Sequence, residues 1–313
     1  MGITVKEYLA RLEDMDLMRE INGFYTSEDS RIRVEDSPAG YNRCKIDGHD
    51  FCLKHGSEEV FTFSSFLTEL CMGRAYNDLG VNSVNYYPIN IKLPNRYVKM
   101  LKVVSQNVNK LSDDLVCATP SQVLAKITPS YEKEDIWRVF KDSDIRAKLL
   151  QLMTEECFNK LIDLYLLDNL TSQGDRHGKN LFFVKNKDSG LWEDVIAIDN
   201  EILNLNSFSL TTRDPKDVFQ TFLKTRGFAY FPSNCQTILT HEERIRCLND
   251  LIASGDLSRE RVDFLKKALD YDITTRHGEL SKEYKFPHRE LVLKHREMLA
   301  RLWDYNRDNL ELN

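Results

Sequence analysis

The stretch Gly174-Asp175-Arg176-His177-Gly178-Lys179-Asn180, followed beyond residues 181–197 by Ile198-Asp199-Asn200-Glu201, governs the reading of the whole chain. Between these brackets run LFFV, a polar turn from Lys185 to Gly190, and EDVIAID, a pattern that predicts two antiparallel strands joined as a hairpin. Phosphoryl transfer needs a carboxylate that orients or deprotonates the acceptor hydroxyl, and oxygen ligands that hold magnesium against nucleotide phosphates. Asp175, then Asn180 five positions on, then Asp199 beyond the hairpin supply those parts in the order kinases use. Asp175 is the expected base; Asn180 and Asp199 are the expected metal ligands. An Asp and an Asn at this spacing also occur as turn caps. Here His177 and Lys179 share the loop, a long apolar helix pattern (EECFNKLIDLYLLDNL) precedes it, and apolar VIAI leads into Asp199.

Working toward the amino terminus, IRVED, RCKI and DFCLKH are short extended segments broken by Ser37-Pro38-Ala39-Gly40 and Asp47-Gly48, which predicts a small antiparallel sheet with a hairpin at the second break. Residues 63–79 carry Phe66, Leu67, Leu70 and Cys71 at helical spacing and stop at Gly80, a carboxyl-terminal cap. Strands resume in VNYYPINIKL and in YVKMLKVV, the latter expected at the sheet edge. A kinase needs a strand lysine reaching the α- and β-phosphates and a helical glutamate to position it. Lys54, late in its strand, and Glu69, in the next helix, fit that pair, although a solvated strand end and an exposed helical face account for each alone.

Beyond residue 118 helical periodicity takes over, in SQVLAKI, EDIWRVF, RAKLLQLM and 155–170, then in 215–225, 240–254, 258–270 and 289–305, with the hairpin as the β interruption. Thr240 and Glu243 stand in capping-box spacing. Residues 4–20 read as one further amphipathic helix. The expected organisation is therefore an extension over 1–30, a β-rich nucleotide-binding lobe over 31–110 and a helical lobe over 111–313. The expected fold is α+β, with a small antiparallel β-rich N-lobe and a larger helical C-lobe holding the internal hairpin, a two-lobed, protein-kinase-like arrangement that the resemblance described next implies.

The sequence G-D-R-H-x-K-N followed by I-D resembles the catalytic segments of HipA-family toxin kinases and of phosphatidylinositol-kinase-like enzymes. It agrees with the HipA type at Asp175, His177, Lys179 and Asn180, while Arg176 is closer to the lipid-kinase branch. Asn200 stands where those relatives usually have an aromatic residue after the metal-binding aspartate. The strand ending at Lys54 and the helix from Glu69 to Leu79-Gly80 also resemble the HipA pattern. The resemblance covers roughly residues 31–205. It implies ATP and Mg2+ as cofactors, His177 as a brace for the loop, and Ser37, Gly40 and Tyr41 in a short phosphate loop whose serine some relatives autophosphorylate. An ordinary Ser-Pro-Ala-Gly turn fits those loop residues equally well. Adenine would be met by backbone groups near Leu101 to Val104, Leu101 and Val103 among them. It further implies a protein Ser/Thr acceptor, with a phosphoinositide acceptor or a non-catalytic nucleotide-binding module as alternatives, and a small DNA-binding antitoxin or other regulatory protein as partner if the chain is a toxin.

Composition sets the outer limits. The chain has 313 residues, about two domains' worth at roughly 150 residues each. Its net charge of -6, from 43 basic and 49 acidic residues, gives no global attraction for nucleic acid or an anionic membrane. The seven cysteines form no CxxC cluster and read as reduced thiols, mostly core filler. No run approaches the roughly eighteen apolar residues of a membrane span, so a cytoplasmic protein, or an effector delivered into a host cytosol, is expected. GxGxxG, Walker and GxSxG motifs are absent, which argues against P-loop NTPases and Ser-His-Asp hydrolases. His49 with His55, and His288 with His295, lack companion ligands at zinc spacing and read as surface or partly buried imidazoles.

Overall fold

The computed structural model describes residues 32–35, 42–46, 49–54, 60–92, 99–106, 108, 113–126, 143–173, 180–200, 241–284, 286 and 289–312, and elements are numbered over these. Strands β1 (Ile32–Glu35), β2 (Asn42–Ile46) and β3 (His49–Lys54) pair antiparallel in sequence, with Ile46 opposite His49 across the expected Asp47-Gly48 hairpin. Helix α1 (Val60–Leu79) follows, then β4 (Tyr86–Lys92) and β5 (Lys99–Gln106), giving a five-stranded sheet in the order β1-β2-β3-β5-β4. The expected edge position of β5 is therefore corrected. It lies between β3 and β4, with Val103 opposite both Lys54 and Pro88, and β4 takes the edge.

Helix α1 ends as its sequence requires. Gly80 has φ +95°, which only glycine adopts without strain, and its N–H donates to the Asn77 carbonyl at 3.0 Å. Leu67 through Met72, then Ala75, Tyr76 and Leu79, are all buried, so the helix is covered around its circumference rather than along one stripe.

A second, three-stranded sheet contains β7 (Leu181–Asn186) and β8 (Asp194–Ala197), the hairpin read from the sequence, together with β6 (Leu115–Ala118), which periodicity does not mark. Residues 82–84 lie parallel beside β8: Ala197 N–H donates to the Asn82 carbonyl (2.9 Å) and Val84 N–H to the Ala197 carbonyl (3.1 Å). The chain leaving α1 thus extends the hairpin sheet.

The helical part comprises α2 (Pro120–Leu124), α3 (Ser143–Leu152), α4 (Glu155–Leu170), α5 (His241–Ala253), α6 (Arg259–Asp270), α7 (Ile273–Tyr284) and α8 (Arg289–Asn309). Thr154 caps α4 by accepting from Cys157 N–H, and Glu155 and Glu156 place negative charge at its N-terminal dipole. Helices α7 and α8 pack on each other and on α1. His295 is more enclosed than the surface or partly buried imidazole expected: it is fully buried, bonded to Thr68 Oγ1 of α1 (2.9 Å) and to His277 (3.1 Å). Cys71 and Cys157 are buried free thiols, and Cys117 and Cys247 are half-buried ones. Among the described residues no helix is long and apolar enough to cross a membrane. The expected helices at 4–20, 134–140 and 215–225 lie outside the described residues, as does Thr240.

Candidate active site

Helix α4 delivers the chain to the site. It is buried along most of its length, including Asp168 (0% exposed), which accepts a 2.7 Å hydrogen bond from Tyr76 Oη of α1. The helix closes through Thr171 into Ser172, which has φ +51°, and Gln173. Asp175, His177 and Lys179 follow within 174–179, outside the described residues; the structure resumes at Asn180.

Hairpin register then sets Asn180 opposite Ile198, the residue before Asp199. Leu181 pairs with Ala197, and Ile198 N–H donates to the Asn180 carbonyl at 3.1 Å, so Asn180 and Asp199 flank the open end of β7 and β8. A carboxylate and an amide oxygen are hard donors of the kind magnesium accepts, and they fit that ion rather than zinc. Among the described residues no group of three or more His, Cys, Asp or Glu gathers into a metal cluster. Phosphate and water oxygens would complete such a shell.

Asp199 itself has φ +56°, a conformation an L residue holds only when its surroundings fix it. Its N–H donates to Tyr86 Oη (2.7 Å), and its carbonyl accepts from Gln173 Nε2 (2.6 Å). Asn200 is buried, and its amide donates to Ser83 Oγ.

The turn at Ser172 and Gln173 is held from below. Buried Arg244 of α5 donates to the Gln173 carbonyl at 3.1 Å. His241 joins Ser172 to Asn306 of α8, its Nδ1 lying 2.6 Å from Ser172 Oγ and its Nε2 2.6 Å from Asn306 Oδ1. Asn306 Nδ2 donates to the Leu170 carbonyl, so Asn306 Oδ1 must accept and His241 Nε2 must carry the proton. Burial pushes the His241 pKa down to about 3, so the ring is neutral and its Nδ1 accepts from the Ser172 hydroxyl.

Glu69 is 3% exposed in the middle of α1, a position at which a carboxylate requires a partner. Lys54 is the last residue of β3, the element before that helix. Leu101 and Val103 fall within β5; Ser37, Gly40 and Tyr41 lie outside the described residues. Tyr86, Gln173, Ser83, Arg244, His241 and Asn306 carry no motif, and only the adjacency of Gln173 to Gly174 hints at a role.

No family model matches the chain, and no curated protein matches it by sequence. Among solved structures, the crystal structure of the Helicobacter pylori proinflammatory kinase CtkA is similar over 89% of this chain and 93% of that one, with a TM-score of 0.54 at 12% identity. The Shewanella oneidensis MR-1 toxin-antitoxin complex of HipA, HipB and operator DNA contains a chain aligned over 98% of this chain and 73% of that one, with a TM-score of 0.46 at 15% identity. The first of these likenesses shows that the chain shares its fold with a solved kinase. The particular fold it shares is that of CtkA.

Proposed function

We propose that this protein is an ATP- and magnesium-dependent phosphotransferase of HipA-like type, two-lobed, with its active site between a β-rich lobe (31–110) and a helical lobe (111–313). The observation that supports the reading is the hairpin register, which sets Asn180 opposite Ile198, the residue before Asp199, on a chain that shares the fold of a solved kinase. In this reading Asp175 orients the acceptor hydroxyl and takes its proton as the acceptor oxygen bonds to the γ-phosphorus and the bond to the β,γ-bridging oxygen breaks. Asn180 and Asp199 hold magnesium, which when bound neutralises charge on the β- and γ-phosphates. Lys54 clamps the phosphates, Glu69 pairs with Lys54, and His177 and Lys179 brace the loop. Ser37, Gly40 and Tyr41 line the phosphate turn, and Leu101 and Val103 lie along the adenine side.

The acceptor is a protein Ser or Thr, the motif agreement with HipA-type enzymes extending over both halves of the chain. A regulatory protein partner and action in a cytosol belong to the same reading. The test is incubation with magnesium and γ-labelled ATP, beside Asp175→Asn and Asp199→Asn, with added protein and phosphoinositide acceptors. Label on protein that disappears in both variants is expected. Label on lipid alone reassigns the acceptor. ATP binding with no label on any acceptor leaves a regulatory module, and no ATP binding ends the nucleotide assignment.

A further inference from the structure

We propose that Tyr86 is a positioning residue for Asp199, and that Gly73 of α1 provides its seat. The inference rests on reading Asp199 as a metal ligand. The two peptide units flanking the Asp199 Cα are each held by a side chain from a different element. Tyr86 of β4 accepts from the N–H, and Gln173, at the end of α4, donates to the carbonyl. Fixing both peptide planes at φ +56° fixes the direction in which the Cβ and its carboxylate leave the backbone. The left-handed conformation sends that carboxylate elsewhere than the extended path of β8 would.

The phenol can reach this point because of what lies under its ring. A Cβ at Gly73 would stand 3.0 Å from Tyr86 Cδ2, 3.2 Å from Cε2 and 3.0 Å from the Val84 carbonyl oxygen. Any side chain at position 73 therefore displaces the ring or the backbone that leads into it. Tyr86 is 1% exposed, its ring enclosed by its neighbours. Glu69 sits one turn before Gly73, on the same side of the helix. The helix bearing the proposed partner of Lys54 thus also bears the seat of the side chain that aims the metal ligand, and a shift of α1 is felt at both.

The test measures ATP affinity by calorimetry, first in EDTA and then across a magnesium titration, for the full chain and for Asp199→Asn, Tyr86→Phe, Gly73→Ala and the Tyr86→Phe/Gly73→Ala double variant. Thermal unfolding reports folding of each. Tyr86→Phe keeps the ring and loses only the hydroxyl. It is expected to bind ATP in EDTA like wild type while requiring about five- to tenfold more magnesium, the size of one hydrogen bond's net contribution. Gly73→Ala is expected to act in the same direction, and the double variant to be less than additive because both act through one contact. Should Gly73→Ala fail to fold, Tyr86→Phe decides. A magnesium midpoint within about twofold of wild type in Tyr86→Phe, with the metal effect still abolished in Asp199→Asn, overturns the positioning role alone. Equal weakening in EDTA and in magnesium also overturns it, since general loosening gives that result. A wild type whose ATP affinity ignores magnesium overturns the metal-ligand reading, and this inference with it.

Discussion

Asn200 occupies a polar slot where the resemblance leads one to expect an aromatic ring. Its amide donates to Ser83 Oγ, and Ser83 Oγ donates to the Val84 carbonyl at 3.1 Å, so the position is satisfied by hydrogen bonds rather than by ring packing. Asn200→Leu removes the donor yet keeps the site filled, and is expected to cost about 1–3 kcal/mol in urea-monitored stability; Ser83→Ala in that background should add little. Asn306 is a harsher site. Asn306→Ala leaves the His241 Nε2–H and the Leu170 carbonyl without their partner in a buried position, for an expected loss of about 2–4 kcal/mol by the same measurement. Asn306 looks ordinary in the sequence, and Asn200 stands out there only for the ring it replaces. Their importance comes from partners more than 100 positions away, as for Asn200 with Ser83 and Asn306 with Leu170.

At the scale of elements, the two informative glycines of α1 behave oppositely. A Cβ at Gly80 would meet nothing within 4 Å, so Gly80→Ala is penalised only by its backbone conformation, about 1 kcal/mol in thermal or chemical unfolding. Gly73 has an ordinary helical backbone and a crowded neighbourhood, so its substitution is penalised by sterics instead. The sequence reading located α1, its Gly80 stop, the β2-β3 hairpin, α4 and the β7-β8 hairpin, because in each the local pattern and the tertiary environment agree. It overlooked β6, whose four residues LVCA become a strand by pairing with β7, and it left α7 unnamed, where Thr274, Thr275 and Gly278 weaken the helical signal. The interior place of β5 was equally hidden, since α1 intervenes in sequence between β3 and the two strands that complete the sheet. Within the candidate site, Asn180 and Asp199 were marked by a motif. Tyr86 and Gln173 were not, because a hydrogen bond from a side chain to a distant backbone leaves no periodicity.

Across the whole molecule, three buried histidines make stability depend on pH. Burial lowers the pKa of His241 to about 3 and that of His277 to about 4, and holds His295 well below the usual imidazole range. A folded-state pKa below the unfolded one means that the unfolded chain takes up protons the folded chain refuses. Stability is then complete above about pH 6.5 and falls as pH drops from there toward the folded values. Denaturant titrations at pH 7 and pH 5 should differ by about 2 kcal/mol for each of His241 and His277, with His295 acting in the same direction, and His241→Gln should flatten its share of the slope. Two of these imidazoles also mark where α8 is tied in. His295 of that helix bonds Thr68 across 227 positions of sequence, and Asn306, the partner of His241, reaches back 136 positions to the Leu170 carbonyl. During synthesis, then, residues 60–173 emerge long before the segment that clasps them. The turn leading into Asp175 and the helix bearing Glu69 must wait, incompletely held, until residues 289–309 have left the ribosome, which makes closure of this fold a late and slow event.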